Sequence, residues 1–174
     1  MMLQCGYRTP EGLDDLTMFS DGEALTRLVF ARGRTATDAA DGGVRPPVCD
    51  LPVFRETRRW LDIYFGGRPP DFTPPYRMDG LTPFRDAVLR ELLKIPFGET
   101  VTYGEIARIL AKRRGVRCVS AQAVGGAVGW NPICLIVPCH RVMGAGGRPT
   151  GYGGGLENKL ALLNLEWKFT EGRG

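Results

Sequence analysis

The chain predicts an α+β fold: a small N-terminal α/β domain over residues 1–78, built from a hairpin sheet and one helix, then a mainly helical C-terminal domain over 79–174. Three observations carry this. Short β-type runs flank a turn signal at Ser20-Asp21-Gly22-Glu23. The segment Arg68–Gly80 holds prolines 69, 70, 74 and 75 and reads as a stiff linker, the best place for a boundary. Beyond it, apolar stripes at helical spacing follow one capping signal after another. With 174 residues, 43% of them hydrophobic and 24% charged, the chain can bury an ordinary globular core. No apolar run reaches the roughly 20 residues of a membrane span. Met1–Pro10 lacks the basic-then-apolar order of a signal peptide, so a cytoplasmic monomer without membrane contact is expected.

In chain order, Gln4–Thr9 and Leu16–Ser20 are expected strands, with Ala24–Ala31 as the return strand. The stretch 32–47, rich in Gly, Ala, Asp and Arg, reads as a mobile surface loop. Leu51–Phe65 places Val53, Phe54, Trp60, Leu61, Tyr64 and Phe65 on an amphipathic helix that Gly66-Gly67 ends. Thr82 caps a helix with Pro83 at its first position, and Phe84, Ala87, Val88, Leu92 and Ile95 form its stripe until Pro96-Phe97-Gly98 stops it. Thr102-Tyr103-Gly104-Glu105 is a capping box that starts a helix at Tyr103. Ser120 caps a short helix, Ala121–Val128, with Gly129 as its stop. The last helix starts at Leu156, with Leu160, Leu163 and Trp167 on one stripe.

Between those last two helices the apolar run Ile133–Val137, bounded by prolines, predicts a short buried strand. Pro138 has no N–H for a sheet ladder and stops it. Cys139, His140 and Arg141 follow directly, and His140 is the only histidine. A thiol past a strand end, beside the one side chain that titrates near neutrality, is how a reactive thiolate is built. A buried core cysteine is the competing reading, and it is the expected one for Cys134. Glu166, at helical spacing from Leu162 and Leu163, is either a surface carboxylate or the partner that orients His140. Cysteines 5, 49, 118, 134 and 139 form no C-x-x-C pair and, with one histidine, complete no zinc set, so reduced thiols and no metal are expected.

The net charge of +4 is modest, but Lys112, Arg113, Arg114 and Arg117 cluster between the two capped helices. Those helices, over about 103–128, have the outline of a helix-turn-helix whose second helix meets nucleic acid. Gly125 and Gly126 each cost that helix about 1 kcal/mol relative to alanine. Either they allow close packing on a neighbour, or they let the backbone approach something flat, as the narrow minor groove would require. Gly144–Gly155 matches neither a Walker A loop nor a dinucleotide fingerprint. Its many N–H groups could instead donate to a ligand's oxygens.

The run Ile136-Val137-Pro138-Cys139-His140-Arg141-Val142, preceded by Gln122-Ala123-Val124-Gly125-Gly126-Ala127 and Asn131-Pro132, resembles the O6-alkylguanine-DNA alkyltransferases over about residues 80–167. Thr102-Tyr103, Gly151-Tyr152 and Glu166 fall in matching order. The resemblance implies repair of O6-alkylguanine in double-stranded DNA, bound through the minor groove with the damaged base rotated into a pocket. Cys139 would take the alkyl group irreversibly, with His140 removing the thiol proton through water and Glu166 orienting the imidazole. Tyr103 would hydrogen-bond the departing guanine. Carbonyls of Cys139 and Val142 would read its amine, and N–H groups of Gly151, Tyr152 and Gly153 would lie against O6. Asn131 would brace the turn before the nucleophile. Ser120, Ala121, Gln122, Ala123, Gly125 and Gly126 would face DNA. No cofactor and no metal are implied.

Two departures bear on this. Gln122 stands where many members carry an intercalating arginine, which predicts weaker flipping or an altered substrate range. Gly153 stands where some carry serine, which predicts room for larger alkyl groups. Three rival readings are a sensor that binds alkylguanine without transfer, a cysteine hydrolase and a redox thiol protein. The sensor lacks a nucleophile, the hydrolase leaves the basic helix pair unexplained, and the redox protein needs a resolving cysteine beside Cys139.

Overall fold

The computed structural model describes residues 1–32 and 50–172. The loop expected over 32–47 therefore lies, beyond its first residue, outside the described residues. Leu3–Tyr7 (β1), Leu16–Ser20 (β2) and Leu25–Phe30 (β3) form an antiparallel sheet in the order β1-β2-β3. At the β2–β3 turn Asp21 Oδ1 accepts the amides of Glu23 and Ala24, each at 2.9 Å. Gly22 takes φ 110° there, a region open to glycine. Helix α1, Pro52–Phe65, buries Val53, Phe54, Thr57, Trp60, Leu61 and Tyr64 and ends where the Gly66 amide turns back to Asp62. Tyr7 of β1 stacks on its Phe65 and donates to Asp62 at 2.7 Å, which holds helix and sheet together.

The outer edge of β3 is covered. The Leu25 amide donates to Pro75 O and Arg77 N to Leu25 O, while Leu28 N meets Pro132 O and Cys134 N meets Leu28 O, all at 2.8–2.9 Å. The proline-rich segment and the residues before the thiol thus share one strand. Side chains from the sheet, α1 and the later helices fill one core.

Helix α2, Pro83–Leu92, starts with Thr82 accepting from Arg85 N. Helix α3, Tyr103–Arg114, starts with the complete capping box and ends at Gly115 in the left-handed region, φ 66°. Helix α4 runs Ala121–Trp130 from a Ser120 cap and packs on α2 and α3. Gly129 does not stop it as expected; helical bonding continues one residue further, because the first obstacle is Pro132, which disfavours a helical Asn131. Two-residue strands Val101–Thr102 (β4) and Val142–Met143 (β5) pair in parallel and join α3 to the thiol region. Helix α5, Leu156–Glu171, corrects the expected stripe: Asn158, Lys159, Leu162, Leu163 and Glu166 are buried, while Leu160 and Trp167 are exposed. Among the described residues no helix is long and apolar enough to cross a membrane.

The expected strand at Ile133–Val137 is absent. Only Ile133 bridges β3, and the chain then folds on itself, with Leu135 at φ 66° and Ile136 N bonded to Cys134 O at 2.8 Å. A positive φ on leucine costs roughly 1–3 kcal/mol, and it persists because the buried neighbours fix it. Apolar content marked burial there, not extension. Against the expectation of reduced thiols, Cys5 is disulfide-bonded; Cys118, Cys134 and Cys139 are free thiols.

Candidate active site

The turn carrying the thiol is built by short-range bonds. Cys139 N donates to Val137 O at 2.8 Å around Pro138 (φ −81°, ψ 65°), an inverse γ-turn, and Arg141 N to Pro138 O at 3.1 Å. Asn131 clamps the stretch before it: its Nδ2 reaches Val137 O at 2.9 Å and Ile133 O at 3.3 Å, and its Oδ1 accepts Ile133 N at 3.0 Å. With one side chain satisfying three backbone groups, the loop has a single way to close.

Cys139 sits 5% exposed at the foot of a cleft of ≈ 1480 Å³. Its thiol is drawn down to about 7, first by a hydrogen bond from Cys134 and then, against burial, by Asn131, Tyr152 and the Lys159 ammonium. The Tyr152 hydroxyl, buried, meets no group at full hydrogen-bonding geometry, so it acts as a nearby dipole. Cys134 is pushed up as the donor of the pair, with burial adding to the shift. A thiol half ionised at neutrality is unusual for a buried position.

Behind the thiol lies a closed polar network. His140 Nε2 is 2.6 Å from Glu166 Oε1, and both side chains have no exposure. Arg141 donates to both Glu166 oxygens at 3.0–3.2 Å and to Ile95 O at 2.7 Å. Gly98 N and the Tyr64 hydroxyl complete the carboxylate's shell at 3.0 and 2.8 Å. Burial pushes the Glu166 carboxyl up, but bonds from His140 and Arg141 outweigh it and hold it at about 2. Burial drives His140 the other way, below its ordinary value, so the imidazole is neutral at pH 7. The fixed charge that keeps Glu166 ionised is therefore the Arg141 guanidinium. An ionised carboxylate only accepts, so Nε2 carries the proton and Nδ1, buried and without a protein partner, carries the lone pair.

The cleft wall comes from α3, α4 and the glycine-rich loop. Tyr103, Ala121, Gln122, Gly125, Gly126, Asn131, Gly151, Tyr152 and Gly153 all line it. Tyr103, at the start of α3, is raised by burial and then by the Cys139 charge, which places its ring close to the sulfur. A Cβ on Gly125 would touch the Tyr103 ring at 3.8 Å, whereas one on Gly126 would meet open space. Close packing thus accounts for neither glycine fully. Ser120, Ala123 and Val142 do not line the cleft: Ser120 is spent on the cap, and Val142 O accepts Lys159 Nζ at 2.5 Å.

Reading the sequence missed Tyr64, Arg141, Cys134 and Lys159 as site residues. Lys159, fully buried, was legible as a charge seven residues before Glu166 on the stripe through Leu162 and Leu163. Gly154 was missed as well: a Cβ there would fall 2.5 Å from the Phe30 ring and 2.9 Å from that of Tyr152. Gly154→Ala should cost about 1–3 kcal/mol by overpacking and push Tyr152 off the thiol; a thermal melt and the Cys139 alkylation rate check both parts.

Fold and site together define a protein with an acidified thiol, backed by a buried His–Glu–Arg network and opening toward a helix of small residues. Residues 83–168 match the profile of the 6-O-methylguanine DNA methyltransferase, DNA binding domain. A Mycobacterium bovis protein named methylated-DNA–protein-cysteine methyltransferase is 49% identical over 92% of this chain and 91% of its own. One of the same name from Haemophilus influenzae is 40% identical over 92% of this chain and 83% of its own. Mycobacterium tuberculosis OGT in complex with DNA superposes at TM-score 0.77 with 37% identity, covering 95% of this chain and 93% of that one. The chain belongs to the methylated-DNA–protein-cysteine methyltransferase family.

Proposed function

We propose that the chain is a direct-reversal DNA repair protein that moves the alkyl group of O6-alkylguanine in duplex DNA onto Cys139, once per molecule. The observation that carries this is the placement of one acidified thiol at the foot of a cleft walled by the small-residue face of α4. Duplex DNA would lie along the α3–α4 helix-turn-helix, with α4 at the minor groove and Ala121, Gln122, Gly125 and Gly126 at the contact; Ser120 and Ala123 flank it. The modified guanine rotates into the cleft past Gln122. The DNA complex of the Mycobacterium tuberculosis relative supports this choice of partner.

In the transfer, the Cys139 thiol proton passes through water to His140 Nδ1, and the imidazolium is stabilised by Glu166 across the ring. The thiolate attacks the alkyl carbon in line; the S–C bond forms as the C–O6 bond breaks, and its electron pair leaves on the guanine. Tyr103 donates to the departing base and offsets its charge. N–H groups of Gly151, Tyr152 and Gly153 lie against O6. The carbonyl of Cys139, which lines the cleft, faces the amine through its remaining lone pair, since Val142 N already uses one; the carbonyl of Val142, bonded to Lys159 Nζ and outside the cleft, takes no part in this contact. The thioether has no route back to a thiolate, so the reaction stops after one turnover.

Mass spectrometry after mixing with an O6-methylguanine duplex tests this. One added methylene on the Cys139 peptide, at a stoichiometry of one, is the expected result; binding without mass gain would make the protein a sensor. A Cβ at Gly153 would find only Gly129 O within 4 Å, at 3.9 Å, so the cleft has room at that part of its wall. Benzyl adducts should therefore react at least as fast as methyl ones in a competition assay, and a steep preference for methyl would count against that use of the space.

A further inference from the structure

Two free thiols open into one cleft. Cys134 and Cys139 both line it, each 5% exposed, and the side chain of the first donates to the second. The backbone brings them together. An extended chain would hold residues 134 and 139 roughly 16 Å apart. Instead Ile136 N bonds to Cys134 O at 2.8 Å and Val137 N to Ile133 O at 3.1 Å, with Leu135 in the left-handed region between them. Asn131 Nδ2 reaches both Ile133 O and Val137 O, so one amide clamps the two sides of the turn.

Alkyl transfer uses Cys134 only as a hydrogen-bond donor. A redox-sensing thiol is acidic, reachable from solvent and set beside a second thiol that can resolve it. Cys139 meets the first two conditions and Cys134 the third. Cys118, also free, is exposed on the connection between α3 and α4 and does not line the cleft. We infer that Cys134 and Cys139 close into a reversible disulfide when the free protein meets a hydroperoxide, which keeps the nucleophile in a recoverable form. The Cys139 thiolate attacks one peroxide oxygen; the S–O bond forms as the O–O bond breaks, and hydroxide leaves with the electron pair. Cys134 gives its proton to that hydroxide and attacks the sulfenic sulfur; the S–S bond forms and the S–O bond breaks. Two electrons pass from the thiols to the peroxide, which ends as one water and one hydroxide. Without Cys134, further peroxide carries the sulfenic acid to the sulfinic acid, which thiols do not reduce. This goes beyond alkyl transfer and does not depend on it, because the duplex takes no part.

Intact mass spectrometry of the full chain treated with hydrogen peroxide, before and after dithiothreitol, decides it. The wild type should lose two hydrogens, with a Cys134–Cys139 link in the digest, and dithiothreitol should restore the starting mass. Alkylation by an O6-methylguanine duplex should fall in proportion to the linked fraction and return on reduction. In Cys134→Ser the same treatment should add two oxygens at Cys139, and dithiothreitol should restore neither mass nor alkylation. Cys118→Ser should behave as the wild type. A wild type that gains oxygen instead of losing hydrogen overturns the inference with no variant needed. So does a link that runs to Cys118, or a Cys134→Ser protein that recovers as fully as the wild type. If the reduced protein takes no methyl group from the duplex, the transfer reading fails on its own, and the mass after peroxide still decides whether the pair closes.

Discussion

Arg141→Met should lower the free energy of unfolding by about 3–5 kcal/mol, the usual cost of stranding one partner of a buried ion pair. The Glu166 side chain has no exposure and that of Arg141 only 10%, so water cannot replace the lost guanidinium. Its bond to Ile95 O disappears too, and that carbonyl is left without its donor. Against a total stability of about 5–15 kcal/mol for a domain, the variant would sit near the edge of folding. Urea unfolding checks the figure, and a loss under about 1 kcal/mol would remove this pair from the forces that hold α5 to the Cys139 turn. Pairing the change with Glu166→Gln should cost less than the sum of the two single changes, because neither variant then strands an isolated charge.

The same pair sets how acid unfolds the protein. Glu166 ordinarily titrates at 4.5 and is held at about 2 in the fold. The folded state binds this proton less readily than the unfolded one, so the carboxylate's contribution is complete above about 4.5 and lost as pH falls toward 2. In Arg141→Met the folded value rises, and acid destabilisation should set in at a higher pH.

How much of this was legible depended on whether a signal was local. The Thr102–Glu105 capping box, the Thr82 and Ser120 caps and the hairpin turn are written within four residues each, and they stand where the sequence puts them. Ile133–Val137 misled because a buried apolar run looks alike whether it is extended or turned, and what turns it is a side chain outside it, Asn131. Cys139 and His140 were visible as neighbours, and Glu166 as a carboxylate on the buried stripe of α5. Tyr64 was legible only as a core aromatic: nothing in α1 announces that its hydroxyl meets a carboxylate 102 positions later. Arg141 was legible only as a member of the Cys-His-Arg run: arginine is rarely buried without a partner, and its partner, Glu166, lies on α5.

Cys139→Ser should abolish the mass gain while leaving affinity for the alkylated duplex within about twofold, since hydroxyl and thiol occupy nearly the same space and only ionisation separates them. A serine hydroxyl stays neutral at any pH where the fold persists. The Cys139 thiol, held near 7, is about half thiolate at neutrality. The single-turnover rate in wild type should therefore climb through pH 7 and level off above about 8, with the value at pH 6 roughly tenfold below the plateau. The sign follows from which form reacts: protonation removes the nucleophile, so acid slows transfer. His140 adds to the same trend, because a ring already protonated at Nδ1 cannot accept the thiol proton. A rate that is flat from pH 6 to 8 would mean that a step before chemistry, such as rotation of the base past Gln122, limits the reaction. Raising the rate by Gln122→Arg under those conditions would then identify that step, and the thiol's acidity would have to be measured directly by its reaction with a small alkylating agent.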